Sequence, residues 1–198
     1  MKVLNCRWTL SLVLLTGLLF AGGAQAALES RNNGMVYDTD LNLTWLADAG
    51  QAGGPLSWSD SNNWTTGLNH AGITGWRLPT AAPPDYYSTT SEMGHLFYVE
   101  LGGQQDTPIS QVHNAFYALF SNVVDSGYWT NTPDDADPTF AWNFDFYDGT
   151  QLAYDGSVQF GAWAVHEGDV GAVPEPSTLL LLGLGAAGLI GLRRRAKS

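Results

Sequence analysis

Two uncharged apolar runs of fourteen residues, Trp8–Ala21 and Leu179–Leu192, bracket the chain and confine its folding part to what lies between them. The first run follows Lys2 and Arg7 and precedes Ala24-Gln25-Ala26. A positive start, a short apolar stretch and small residues at the −3 and −1 positions are the marks of a secretory signal peptide. Cleavage by signal peptidase is therefore expected after Ala26, with Ala24 and Ala26 as the recognised small residues. The sequence has one cysteine, Cys6, which would leave with that peptide. The exported part then enters an oxidising compartment with no disulfide to form, and its core alone must hold it together.

The second run is preceded by Pro174-Glu175-Pro176 and followed by Arg193-Arg194-Arg195. Basic residues stay on the cytoplasmic side of a membrane, so this end reads as a stop-transfer segment that leaves residues 27–173 outside. Fourteen helical residues rise only about 21 Å, short of the ~30 Å hydrocarbon core of a bilayer. The fit suits a temporary anchor that is removed, as other terminal processing signals are. The order of Pro174, Glu175 and Pro176, an apolar helix and a basic tail resembles the PEP-CTERM sorting signal of Gram-negative bacteria. The resemblance implies a transient stay in the inner membrane with the C-terminus cytoplasmic. It further implies processing by an exosortase, then delivery to the cell surface or to an exopolysaccharide matrix. Three segments follow: a signal peptide over 1–26, one domain over 27–172 and a sorting signal over 173–198.

Between residues 27 and 173 stand 18 acidic and 2 basic residues. A surface so negative does not serve phosphate backbones or anionic headgroups, which excludes nucleic acid as a partner. The two bases are Arg31 and Arg77.

Local patterns predict an α+β domain. Met35-Val36-Tyr37 and Leu43-Thr44-Trp45-Leu46 flank a turn-rich Asp38–Asn42 and read as a β-hairpin. Ser57 with Asp60 fits a capping box, and Trp64, Leu68 and Ala71 share one face of a helix running from Ser57 to about Ala71, with Gly72 as its stop. Ser91–Leu101 reads as a second helix, with Met93, Leu96, Phe97 and Leu101 as its apolar face. Pro83-Pro84 make Thr80–Thr90 a loop. Phe140, Trp142, Phe144 and Phe146 alternate with Ala141, Asn143 and Asp145, so four aromatics are expected on the core face of one strand. Asp148-Gly149 turns the chain into a returning strand, Gln151–Tyr154. Phe160–His166 is expected to be the last strand.

Several ordered segments resemble the Lcl C-terminal domain family, also called DUF1566. They are Gly34-Met35-Val36-Tyr37-Asp38, Leu43-Thr44-Trp45-Leu46, Gly75-Trp76-Arg77-Leu78-Pro79-Thr80, Tyr128-Trp129-Thr130, Ala141-Trp142-Asn143-Phe144 and Trp163-Ala164-Val165 with Gly168-Asp169-Val170. The resemblance implies a C-type-lectin-like, formylglycine-enzyme-like single domain. It supplies no activity, since a fold does not fix a function. Trp76, Arg77, Leu78, Pro79 and Thr80 form its most specific piece. A guanidinium between Trp76 and Leu78 needs a carboxylate or several carbonyls as partners, so a structural role is expected for Arg77.

No catalytic motif is found. Formylglycine-generating chemistry needs reactive cysteines, which the exported part lacks. Gly-x-Ser-x-Gly and His-Glu-x-x-His are absent. His70, His95, His113 and His166 are scattered and are expected to be structural. Asp38-Thr39-Asp40-Leu41-Asn42 opens like an EF-hand loop, but Leu43 and Ala49 stand where glycine and glutamate are required. No cofactor is expected. The cation the sequence admits is calcium, at Asp134, Asp135 and Asp137, where three loop carboxylates repel one another. The lectin calcium motifs are missing: Trp142-Asn143 is followed by Phe144. Asn42-Leu43-Thr44 and Asn63-Trp64-Thr65 match the N-glycosylation pattern, which has no expected use in a bacterial chain. The sequence thus points to a non-catalytic exported binding or interaction module, with exopolysaccharide as a candidate partner. The alternatives are a glycan-acting enzyme with paired carboxylates and a ligand-sensing domain that stays anchored.

Overall fold

The computed structural model describes residues 27–171. The signal-peptide residues Ala24 and Ala26, the sorting residues Pro174, Glu175 and Pro176, the C-terminal apolar run and Arg193, Arg194 and Arg195 lie outside the described residues. Among the described residues, no helix is long and apolar enough to cross a membrane.

Two antiparallel sheets form the frame. The first joins β1 (Leu28–Arg31), β2 (Met35–Asp38), β3 (Leu43–Leu46) and β7 (Val165–Glu167), in that spatial order. The second joins β4 (Gly127–Pro133), β5 (Phe140–Asp145) and β6 (Gln151–Asp155). The expected hairpin is β2–β3, with Val36 opposite Trp45 and Asp38 opposite Leu43. β1 and β7 flank it. Leu28–Arg31 carries only one apolar residue, which is why its strand is silent in the sequence.

Helix α1 runs over Trp58–Gly67 and stops short of the expected Ala71. The Asp60 N–H donates to Ser57 Oγ, while the Ser57 hydroxyl donates to the Asp60 carboxylate at 2.7 Å. The far end breaks because Leu68 turns extended and Ala71 takes a φ of 53°, within a turn closed by paired His70 and Ile73 backbone bonds. The fully buried residues of α1 are Ser61 and Thr65, and Trp64 and Leu68 are half-buried.

The second expected helix begins as α2 (Glu92–Gly94), capped by Ser91, and continues as a π-helical turn over His95–Glu100. The Leu101 N–H reaches back to the Leu96 carbonyl, five residues away, at 2.9 Å. Met93, Leu96, Phe97 and Leu101 are all buried, as their spacing predicts.

The strand alternation needs correcting. Along β5, Ala141 and Asn143 are buried while Phe140 and Trp142 are only half-buried. The sheet is covered on both faces, so neither face is a polar one. Phe144 and Phe146 enter the main core; Ala141 joins Leu78, Trp129 and Ala162 in a second cluster. The last strand is also shorter than expected. Phe160 bridges to Leu56 and Gly161 to Tyr128 before the chain reaches β7.

Trp163 stands at the centre of the main core. Its ring meets Trp45, Phe120, Tyr128 and Phe146 at centroid distances of 5.2–5.8 Å. Its indole N–H donates to the Leu46 carbonyl at 2.7 Å. This aromatic nucleus is what a domain without disulfides relies on, because each such ring removes about 150–250 Å² from water.

Candidate functional site

The segment Trp76–Thr80 is a brace. The Arg77 backbone pairs in both directions with Val165, at 2.9 Å each, which ties it to the first sheet. Two residues on, the Pro79 carbonyl accepts from the Asn131 N–H of β4 at 2.8 Å, which ties it to the second. Trp76 is buried, donates to the Ile73 carbonyl at 3.0 Å, and meets the rings of His70 and His166 edge-on. Leu78 anchors the second cluster.

The Arg77 side chain crosses to Glu92 at the start of α2, with two parallel bonds of 2.7 Å. It also pairs with Glu167 of β7 and donates to the Leu78 carbonyl at 3.1 Å. Glu92 in turn accepts from the Thr80 N–H at 2.7 Å. Burial pulls the guanidinium's pKa down, but the bonds to Glu92 and Glu167 outweigh it and leave the pKa raised. Arg77 therefore joins a loop, a helix start and a strand.

A cleft of about 230 Å³ opens elsewhere, between the Ala49–Pro55 turn, the Asn122–Tyr128 segment and Gln159–Ala162. Its walls are mostly small or apolar, with Pro55, Val124 and Phe160 among them, and its polar groups are hydroxyls and amides such as Asn122, Ser126 and Gln159. No lining residue carries a charge. Gly50 and Gly161 keep the walls close to their neighbours. A Cβ on Gly161 would lie 2.6 Å from the Tyr128 ring, and one on Gly50 would lie 2.9 Å from Asn122.

The candidate calcium loop does not gather its carboxylates into a ligand set. Asp134 accepts from the Ala136 N–H at 3.4 Å. Asp137 accepts from the Thr139 hydroxyl at 2.7 Å and its N–H at 3.0 Å, and these bonds lower its pKa. Asp135 is exposed. Among the described residues, the group that brings three metal-ligating side chains together is Asp38, His95 and Glu100.

By sequence, Asp38 belongs to a turn, His95 is a structural histidine and Glu100 has no assigned role. A signal was present: Glu100 falls beside Phe97 and Leu101 on the apolar face of its helix, where a carboxylate needs a reason. His95 and Glu100 are five residues apart, which in an α-helix separates them by about 140° around the axis. The π-helical turn, whose hydrogen bonds span five residues, brings His95 Nε2 to 3.2 Å from Glu100 Oε1. Burial raises the Glu100 pKa, with added repulsion from Asp38 and a counter-pull from His95. Burial also raises that of Asp38, against the N–H groups of Leu41 and Asp40 and the nearby His95.

The other histidines are held by ordinary contacts. His70 lies 2.6 Å from the Asn33 carbonyl, His113 lies 2.7 Å from that of Ile109 and stacks on Tyr117, and His166 lies 2.6 Å from that of Glu167.

Residues 34–166 match the family model of the Lcl C-terminal domain, and residues 172–195 match that of the PEP-CTERM protein-sorting motif. No curated protein and no solved structure matches the chain.

Proposed function

The chain belongs to the Lcl C-terminal domain family, and from that premise we propose that it is a non-catalytic binding module of the cell surface or exopolysaccharide matrix. Its sorting motif makes it an exported protein processed by an exosortase. The observation that carries the binding reading is an uncharged cleft in a domain with 18 acidic residues and 2 basic ones. A negative surface repels anionic polymers, while a mostly apolar cleft with a few amides and hydroxyls and a part-exposed Phe160 ring suits a neutral group. At about 230 Å³ the cleft is smaller than the ~300–1,000 Å³ sites of drug-sized ligands. It fits one small unit of a longer chain, such as a neutral sugar residue of a polysaccharide.

The reading as a glycan-acting enzyme has one observation in its favour. Asp38 and Glu100 are paired carboxylates, both with raised pKa. They are 0% and 3% exposed, however, and a sugar must reach between the two carboxylates of a glycosidase. The cleft, which a sugar could reach, has no carboxylate at all. Access therefore favours binding over hydrolysis.

The test is binding of the exported protein to the host's own exopolysaccharide, with and without calcium. Val124 lines the cleft and is 49% exposed, so Val124→Glu should fold normally while placing a charge in the cleft. The expected result is calcium-independent binding that the variant weakens about tenfold, as an unpaired, desolvated charge should. Equal binding by both proteins would remove the cleft from the account. Release of new reducing ends would establish the enzyme instead.

A further inference from the structure

We propose that Asp38, His95 and Glu100 hold a divalent transition-metal ion, of the zinc or manganese kind, at the junction of the β2–β3 hairpin and the π-helical turn. One ligand atom from each residue lies within 4.8 Å of the other two. A four-coordinate ion with bonds of about 2.0–2.2 Å needs ligand atoms roughly 3.3–3.5 Å apart. The His95–Glu100 edge already measures 3.2 Å. Closing the remaining sides asks Asp38 to shift by no more than about 1.5 Å, the gap between 4.8 Å and that spacing.

Asp38 supplies an independent sign. It is 0% exposed, and its Oδ1 accepts from the Asp40 and Leu41 N–H groups at 3.0 and 2.9 Å. Its Oδ2 is buried without any hydrogen-bond partner. The Trp45 indole N–H faces this carboxylate but closes no bond of normal geometry; an incompletely satisfied buried oxygen costs free energy, and a cation would complete its shell. The indole N–H of Trp45 is equally buried and reaches Asp38 only weakly. A water completing the metal's coordination would give that donor an oxygen.

Charge makes the same demand. Ligand atoms of Asp38 and Glu100 lie within 4.8 Å of each other, and among the described residues no lysine or arginine pairs with them. The two arginines between residues 27 and 171 are engaged elsewhere: Arg31 with Glu29 and Asp169, Arg77 with Glu92 and Glu167. A doubly charged ion balances the two carboxylates. Two carboxylates and one imidazole suit zinc or manganese; calcium prefers six to eight oxygens. His95, with a side chain 17% exposed, gives the ion a way in.

The experiment uses the exported protein, stripped with a chelator and titrated separately with zinc, manganese and calcium ions. Calorimetry and thermal unfolding are the readouts. One equivalent of zinc or manganese is expected to bind and, at a hundredfold excess over Kd, to raise the Tm by roughly 5–10 °C. Glu100→Gln keeps the side chain's shape and removes a ligand charge. It should weaken binding at least about tenfold while leaving the metal-free protein as stable or more so. His95→Gln, at the more open position, should weaken binding likewise and serves if Glu100→Gln does not fold. Binding of calcium alone, no stoichiometric binding, or equal binding by wild type and the folded variant would overturn the assignment.

Discussion

Replacing Trp163 by alanine is expected to cost about 5 kcal/mol of stability, the top of the range for removing a buried tryptophan. Trp163 is 0% exposed and touches four other aromatic rings from β3, β4 and the loops beside them. Its removal leaves a cavity that rings of that size do not collapse into. It also orphans the Leu46 carbonyl, which accepts the indole N–H at 2.7 Å. Domains of this size are stable by only about 5–15 kcal/mol, so the variant should lose between about a third and all of its stability. Trp163→Phe separates the two contributions. It keeps most of the ring and loses the hydrogen bond, so a loss of about 1–3 kcal/mol is expected. Urea denaturation of the exported protein measures both. A cost below about 2 kcal/mol for the alanine variant would mean that the aromatic nucleus is not what holds this cysteine-free domain together.

Arg77→Ala is expected to cost about 2–4 kcal/mol. Breaking a buried ion pair from one side typically costs about 3–5 kcal/mol. Arg77 and Glu92 are not fully enclosed, with side chains 25% and 15% exposed, which brings the figure down. Glu167, 69% exposed, adds little, as exposed pairs do. The damage is concentrated at Glu92, which keeps its Thr80 N–H but loses its counter-charge. Arg77→Lys should restore less than half, because an ammonium cannot make the two parallel bonds to Glu92. An unchanged melting temperature together with lost ligand binding would reverse the assignment and make Arg77 a binding residue.

How far the sequence reveals this fold depends on which faces are covered. The β2–β3 hairpin is legible because two short runs of strand formers flank a turn-rich Asp38–Asn42, although β3 is buried along its whole length; the buried residues of the second helix are legible because they share one face. β5 hides both faces, and its alternation of aromatic and polar residues therefore misdirects: Asn143 is buried and Trp142 is not wholly so. β4 carries Thr130, Asn131, Thr132 and Pro133 with a register shift after Trp129, a polar run that no strand pattern picks out. The brace at Trp76–Thr80 is visible as a motif. The need for a partner to Arg77 is legible too; the partners themselves are not, because Val165, Asn131 and Glu92 meet the segment only in space. The same holds for Asp38, His95 and Glu100. An α-helical wheel sets His95 and Glu100 on different faces, and the π-helical turn that unites them leaves no periodic trace in a single sequence.

The acidic domain is expected to be carried out of the cell and freed from the tail that stopped it. Intact-mass measurement of the surface protein, in hosts with and without an active exosortase, decides whether that happens. In the competent host the mass should lack the basic segment Arg193–Lys197; in the null host that segment should remain. A competent host whose surface protein still carries it would mean that the tail is a permanent anchor and not a sorting signal.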